Sequence, residues 1–247
     1  MDRIAMLHVD SIVALATTLV LSLESDPFYI ALTANAEDRH GRRPLLHDYF
    51  LHALREAQQP EHATHTRMVW AADRRTGVAL WELPLDAPTA RTRRCEKLLF
   101  LSGHLGEAAT RNYANMTEFM RAIAHKAVPS GAWYLSILGV HPNAQGTGVG
   151  RTLIEPTMAE ADAASAACYL ETFSAKSRAF YERNGFDVKA TAYEPVTGHD
   201  YWLMLRKAPD TQFRSMPSER VEGHRGTCPV SVPTTPEIAA AGSLLQG

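Results

Sequence analysis

The sequence predicts an α/β chain built on a central mixed sheet flanked by helices, and three observations carry that prediction. Residues 132–140, AWYLSILGV, form a nearly continuous apolar run, the pattern of a strand buried on both faces. A turn with glycines at 146, 148 and 150 follows, and helical spacing then extends over 151–165. A second short run, ACYLET at 167–172, completes a β-α-β unit whose strands should lie parallel with a right-handed crossover.

The remaining elements follow in order. Residues 3–8 read as a short strand. The segment 11–23 reads as a helix with Asp10 or Ser11 as N-cap. Its apolar stripe runs through Leu15, Leu19 and Leu23 and is widened by Ile12, Val13, Ala16 and Val20. Ser25-Asp26-Pro27 ends it. Residues 43–58 repeat apolar positions at helical spacing, with Pro44 in the first turn. Two strands, 67–72 and 77–83, form a hairpin with Gly77 as its turn glycine. Pro84 and Pro88 close the second strand, and a polar, arginine-rich stretch follows over 89–97. A helix is predicted over 107–127. Pro156 falls inside the helix after the glycine turn, where a proline costs about 3 kcal/mol, so a kink or local irregularity is expected rather than a break. A helix over 174–184 stops at Gly185, and strands at 186–193 and 200–206 join around Pro195 and Gly198. From Ala208 onward prolines at 209, 217, 229, 233 and 236 accompany many Ser, Thr and Gly, the composition of a tail with little structure. The expected organisation is one domain over 1–207 and a tail over 208–247.

Composition narrows the function. With 45 % hydrophobic and 21 % charged residues the chain has the make-up of a soluble globular protein. A formal net charge of −2 without long single-sign blocks excludes the footprint of a general nucleic-acid binder. Cys95, Cys168 and Cys228 are too far apart for metal or redox pairs, and their sparse, odd count points to a reducing compartment. The apolar stretch 11–23 is too short to span a bilayer. Asp2 and Asp10 precede it where a secretion signal would carry positive charge. The expected location is the cytoplasm, with no membrane, nucleic-acid or metal partner.

The stretch VHPNAQGTGVGRTL, residues 140–153, carries the chemistry. A helix start leaves backbone N–H groups unpaired, and its dipole favours an anion. Glycines let a phosphate approach those groups. A Walker A loop would need lysine after its last glycine, and Arg151 stands there instead. The dinucleotide pattern fails as well, because its third glycine is missing.

What remains, Gln145-Gly146-x-Gly148-x-Gly150, resembles the acetyl-CoA signature of the Gcn5-related N-acetyltransferase (GNAT) superfamily, and AFYERNGF at 179–186 resembles its second signature. Longer phrases, LGVHPNAQGTGVG and YLETFSAKSRAFYERNGF, are similar to the puromycin-acetyltransferase-like branch, as are ESDPF, GVALW and YWLMLR. The resemblance covers about residues 3–207. It implies the acyl-CoA N-acyltransferase fold, in which two parallel strands splay apart at their C-terminal ends. It also implies acetyl-CoA as co-substrate and a small-molecule primary amine as acceptor, in a detoxification or self-resistance role. The main chain of Leu138, Gly139 and Val140 would pair with the pantetheine arm. The N–H groups of Gln145, Gly146, Thr147, Gly148, Val149, Gly150 and Arg151 would hold the pyrophosphate. Ser177 stands where many members carry a cofactor-contacting asparagine.

Acyl transfer to an amine needs a proton acceptor, a donor to the developing oxyanion and an acid for the leaving thiolate. Tyr181 matches the family acid. Glu171, near the end of the second parallel strand, is expected to take the acceptor's proton or to bind the acceptor. His141 is either a base or a plain loop residue beside Pro142. Trp81, Trp133 and Tyr193 line the acceptor pocket or belong to the core, and Asp26 and Phe28 border the acceptor site by fold analogy. Two other readings stay open: a CoA-binding module without catalysis, and a nucleotide-binding regulator.

Overall fold

A computed structural model describes residues 8–36, 39–71 and 73–209. The predicted strand over 3–8 lies almost wholly outside the described residues, as do the tail from 210 onward and Cys228. Six strands form one sheet in the order β1-β2-β3-β4-β6-β5: β1 (Thr66–Trp70), β2 (Gly77–Glu82), β3 (Trp133–Val140), β4 (Cys168–Thr172), β5 (Asp187–Glu194) and β6 (His199–Arg206). Only β3 and β4 are parallel neighbours; the other pairs are antiparallel. The helices are α1 (Val9–Leu23), α2 (Pro27–Leu32), α3 (Arg39–Ala57), α4 (Ala87–His104), α5 (Gly106–Ala127), α6 (Val149–Ala163) and α7 (Ala175–Glu182). No helix of the described residues is long and apolar enough to cross a membrane.

Two cores lie on opposite faces of the sheet. On one, α1, α2, α3 and α5 bury Leu15, Leu19, Leu32, Phe50, Leu54 and Met116 against Val78, Leu80 and Ile137. On the other, α6 buries Leu153, Ile154 and Met158 against Trp81, Trp133, Leu135 and Leu170. The helix α1 begins at Val9, ahead of both predicted caps. His8 is its N-cap without a side-chain bond, and Asp10 lies in the first turn, where an acid favours the positive end of the helix dipole. Its stripe is buried as predicted except that Leu23 is half-buried and Val13 turns outward, at 37 % exposure. Glu24 at its end is almost fully buried and accepts two bonds from the Arg43 guanidinium, at 2.7 and 3.1 Å, which ties α1 to α3. Because α3 starts at Arg39, Pro44 stands in its second turn instead of its first.

Two helices were not legible as such. The arginine-rich stretch belongs to α4: Asp86 caps it by accepting the Thr89 N–H at 2.8 Å, and Pro88 sits in its first turn. Pro88 therefore starts a helix rather than ending a strand. The short α2 is capped in the same way by Asp26, with Pro27 behind it. Farther along, α6 continues unbroken through Pro156. That residue lies on the exposed face, so the carbonyl of Thr152 that loses its donor faces solvent.

The strand β3 corrects the prediction of burial on both faces. Its exposure alternates, with Trp133, Leu135, Ile137 and Gly139 buried and Tyr134, Ser136, Leu138 and Val140 half-buried. Its pairing with β4 covers only Trp133↔Cys168, Tyr134↔Tyr169 and Leu135↔Leu170. From Ser136 to Val140 β3 continues beside β2 alone, and a bulge at Ser136 shifts the register there. The bulge divides the apolar residues of β3 between the two cores: Trp133, Leu135, Leu138 and Val140 pack toward α6 and Ile137 toward α1. Beyond β4, Arg206 on β6 clamps Asp162 at the end of α6 with two bonds of 2.6 and 2.7 Å, closing the crossover onto the sheet.

The hairpin between β1 and β2 turns without help from Gly77. Asp73 accepts the N–H groups of Arg75 and Thr76 at 2.9 Å each, and Arg74 takes the positive φ of 56°. Gly77 is instead required by packing. A Cβ there would lie 2.8 Å from Leu153 Cδ1 and 2.9 Å from the Gly139 carbonyl oxygen. Gly77→Ala is therefore expected to lower unfolding free energy by about 1–3 kcal/mol in chemical denaturation, since the backbone of β3 must move; unchanged stability would show that β2 and β3 separate freely.

Candidate active site

The site begins where β3 and β4 part. His141 N–H donates to the Thr76 carbonyl at 2.8 Å, and the pairing then alternates, so Gly139 and Ile137 face β2 while Leu138 and Val140 turn their main-chain groups toward the opening. The Val140 N–H confirms this direction, since it donates to Ser22 Oγ of α1 at 3.2 Å and not to a strand. Gly139 lets α1 come this close; a Cβ there would strike Leu19.

At the far end of β3 the glycine turn feeds α6. Gly148 is the N-cap with φ 93°, Gly146 has φ 81°, and no side chain caps the helix. Among the described residues the N–H groups of Gly146, Thr147, Gly148, Val149 and Gly150 have no protein acceptor, so five donors converge at the positive end of α6. Gly150 is needed for another reason: a Cβ would press on the Phe180 ring at 3.2 Å, and this contact seats α7 against the turn. Gln145 does not offer its amide, because its N–H goes to the Pro142 carbonyl at 3.3 Å. Its side chain bonds the Val140 carbonyl at 3.2 Å and receives Lys176 Nζ at 3.3 Å. The Arg151 N–H closes the first turn on Gly148 O at 3.0 Å, and its 70 % exposed side chain pairs with Glu155 at 3.6 Å. Lys176 is a cation beside the turn that the sequence reading passed over; its place at the start of the signature helix was the available signal.

On the helix-covered face opposite α6, the parted strands open into a cavity of about 480 Å³, within the range of small-molecule sites. Leu138, Ser177, Tyr181, Glu171, Asp26 and Phe28 all line it. Burial raises the Tyr181 phenol well above its ordinary pKa, and the nearby Asp26 charge raises it further, so it stays protonated. Asp26 is the residue whose importance the sequence understated. Burial pushes its carboxyl from an ordinary 3.8 up to about 6, against the opposing effects of the Phe28 N–H bond at 2.9 Å and the charge of His199.

Glu171 accepts Tyr134 Oη–H at 2.8 Å and Tyr201 Oη–H at 2.5 Å. Burial raises its pKa, while the two tyrosine hydroxyls hold it down. Other sequence candidates fall elsewhere. Trp81 and Trp133 pack in the α6 core, on the face away from the cavity, because odd and even positions of a strand point to opposite faces. Tyr193 is 64 % exposed on the edge strand β5. His141 is a loop residue whose ring nitrogen accepts the Asn143 N–H at 3.2 Å.

Known proteins share the fold that carries this site. Residues 108–188 match the family model described as the acetyltransferase (GNAT) domain, spanning α5 to the start of β5. The chain is similar in fold to a histone acetyltransferase HPA2 and related acetyltransferase from Corynebacterium glutamicum, with a TM-score of 0.56 and 22 % identity over 87 % of this chain and 97 % of that one. It is also similar to arylalkylamine N-acetyltransferase 2 from Aedes aegypti, with a TM-score of 0.55 and 18 % identity over 83 % and 98 %. A third is a Drosophila melanogaster polyamine N-acetyltransferase, at 0.52 and 13 % over 82 % and 97 %. Residues 108–188 thus match a GNAT acetyltransferase domain model, and the chain shares its fold with GNAT acetyltransferases.

The raised pKa of Asp26 has a consequence for stability. Between the unfolded value near 3.8 and the folded value of about 6 the native state binds the extra proton, so stability falls as pH rises through that window. Asp26→Asn keeps the capping geometry and removes the buried charge. It should raise stability at pH 8 by about 3 kcal/mol at most and flatten the slope between about pH 4 and 6 in denaturation experiments; a variant less stable than wild type at pH 8 would contradict the buried-carboxylate assignment.

Proposed function

We propose that this protein moves the acetyl group of acetyl-CoA to a primary amine of a small molecule. The observation that carries the reading is the outward-facing main chain of Leu138 and Val140. It leads at one end to the unpaired amides of the glycine turn and at the other to a cavity bearing Tyr181, Asp26 and Glu171. In this reading Gly146 to Gly150 hold the diphosphate through their N–H groups, with Lys176 and Arg151 adding positive charge. The pantetheine arm runs along Leu138 to Val140, where it displaces Ser22 Oγ from the Val140 amide, and Ser177 offers its hydroxyl from α7.

The chain's own groups supply the chemistry. Glu171, which accepts two tyrosine hydroxyls, holds the incoming ammonium. An alkyl ammonium has a pKa near 10, so a proton must leave before nitrogen attacks. Asp26 accepts it, with a pKa suited to neutral pH and a position on the same cavity. As nitrogen bonds to the thioester carbon, a main-chain N–H of the Leu138–Val140 segment donates to the carbonyl oxygen. Tyr181 then gives its proton to sulfur as the carbon–sulfur bond breaks, and the nitrogen, now bonded to the acyl carbon, gives up its second proton to restore the phenol. The similarity of whole sequence phrases to the puromycin-acetyltransferase-like branch supports a self-protective or detoxifying role on a small molecule.

Calorimetric titration with acetyl-CoA and a thiol-release assay over a panel of primary amines test the proposal; binding without any turnover would leave a cofactor-binding module instead. Tyr181→Phe should lower kcat about 10²-fold while acetyl-CoA affinity changes less than about twofold. Wild-type turnover should rise with pH through about 6 as Asp26 ionises. Equal turnover in the phenylalanine variant would remove Tyr181 from the reaction.

A further inference from the structure

The floor of the cavity has an order that acetyl transfer alone does not require. Strand register places Glu82 opposite Tyr134, and Tyr134 opposite Tyr169, in one row across β2, β3 and β4. Glu171 lies two residues farther along β4 on the same face. The two tyrosine rings stack at 4.7 Å between centroids with 21° between planes. A carboxylate thus stands at each end of an aromatic pair, with the main chains of β2 and β4 roughly 10 Å apart.

Glu171 accepts two tyrosine hydroxyls and keeps lone pairs for an ammonium. Glu82 is exposed at the end of β2 and lines the cavity; desolvation raises its pKa, against the opposing charges of Lys97 and Arg93. Above it, Tyr49 is 7 % exposed and lines the cavity, yet its hydroxyl has no hydrogen-bond partner among the described residues. Tyr113 presents a second such hydroxyl. The nearby Lys97 is already bound to Glu56 at 2.8 Å.

We propose that Glu82, with the Tyr134–Tyr169 ring pair beside it and the Tyr49 and Tyr113 hydroxyls above it, binds a second cationic group, so that the preferred acceptors carry two positively charged nitrogens. This inference rests on the acetyl-transfer reading, with the reacting nitrogen at Glu171 and the second at Glu82. A carboxylate and aromatic faces together suit an ammonium. A monoamine would leave this contact unmade, with Glu82 facing solvent and the more distant charges of Lys97 and Arg93.

The test compares hexamethylenediamine, hexylamine and ε-aminocaproate, which share a chain and differ only at the far end. Steady-state kinetics should give the diamine a kcat/KM at least about tenfold above hexylamine, with ε-aminocaproate lowest. In Glu82→Gln the ratio of diamine to monoamine should fall to about one through a raised KM for the diamine. Should that variant fail to fold, Tyr49→Phe decides, with an expected fall in the ratio of about threefold. Equal use of diamine and monoamine by the wild type, an unchanged ratio in the variant, or preference for ε-aminocaproate through Arg93 would overturn the assignment. If no amine releases thiol, the acetyl-transfer reading fails by itself. Calorimetry with the two amines on CoA-saturated protein then decides this one: preferential diamine binding lost in the variant upholds it, and equal binding overturns it.

Discussion

The parting of β3 from β4 after three paired residues is the constraint on which the rest depends. A strand inside a sheet normally satisfies its N–H and C=O groups on both edges. Beyond Leu135, β3 does so on one edge only. The bulge at Ser136 fixes which residues turn outward, and Gly139 lets α1 come near enough for Ser22 to cover a single amide. The fold thereby keeps an unpaired strand edge inside the protein without exposing it to other chains, because helices roof the opening. An extended, amide-bearing molecule is the natural complement of such an edge, and the glycine turn at its end adds donors for an anion.

The carboxylates along the cleft show how the same region divides stability from chemistry. Burying a charge is costly unless it is partnered. Glu56 has Lys97, and Glu171 has two tyrosine hydroxyls. Asp26 has one backbone amide and correspondingly the most clearly displaced carboxyl pKa, about 6. With a single donor, Asp26 is left able to exchange a proton near neutral pH, a pattern found where perturbed groups serve a reaction. The surrounding scaffold is fastened by pairs that do no chemistry, Arg43–Glu24 between α1 and α3 and Arg206–Asp162 between β6 and α6.

Much of this was written plainly in the chain. The β-α-β unit, the glycine turn and the α7 signature are local patterns, and local patterns survive without knowledge of neighbours. The failures share a cause. Residues 132–140 read as a strand buried on both faces because apolar positions run through it, yet Leu138 and Val140 are only partly covered where they pack beside the α6 core at the strand's open end; hydrophobicity does not distinguish a core from its rim. The α4 segment hid because its arginines are polar on every side, and only Asp86 and Pro88 marked its start. Asp26 and Glu82 could not be ranked from sequence, since what singles them out is the burial and register supplied by distant strands. Trp81 and Trp133 were undecidable for the converse reason: the face a strand residue points to is set by the sheet.

The central claim is that the amides at the start of α6 receive the diphosphate of the acyl carrier. Its most direct test is amide chemical-shift mapping on isotope-labelled protein during titration with acetyl-CoA. The account predicts that Gly146, Thr147, Gly148, Val149 and Gly150 move most, together with Leu138 and Val140 along the open edge of β3. Saturable binding that leaves the glycine-turn amides unmoved, with the shifts gathered elsewhere, would contradict it.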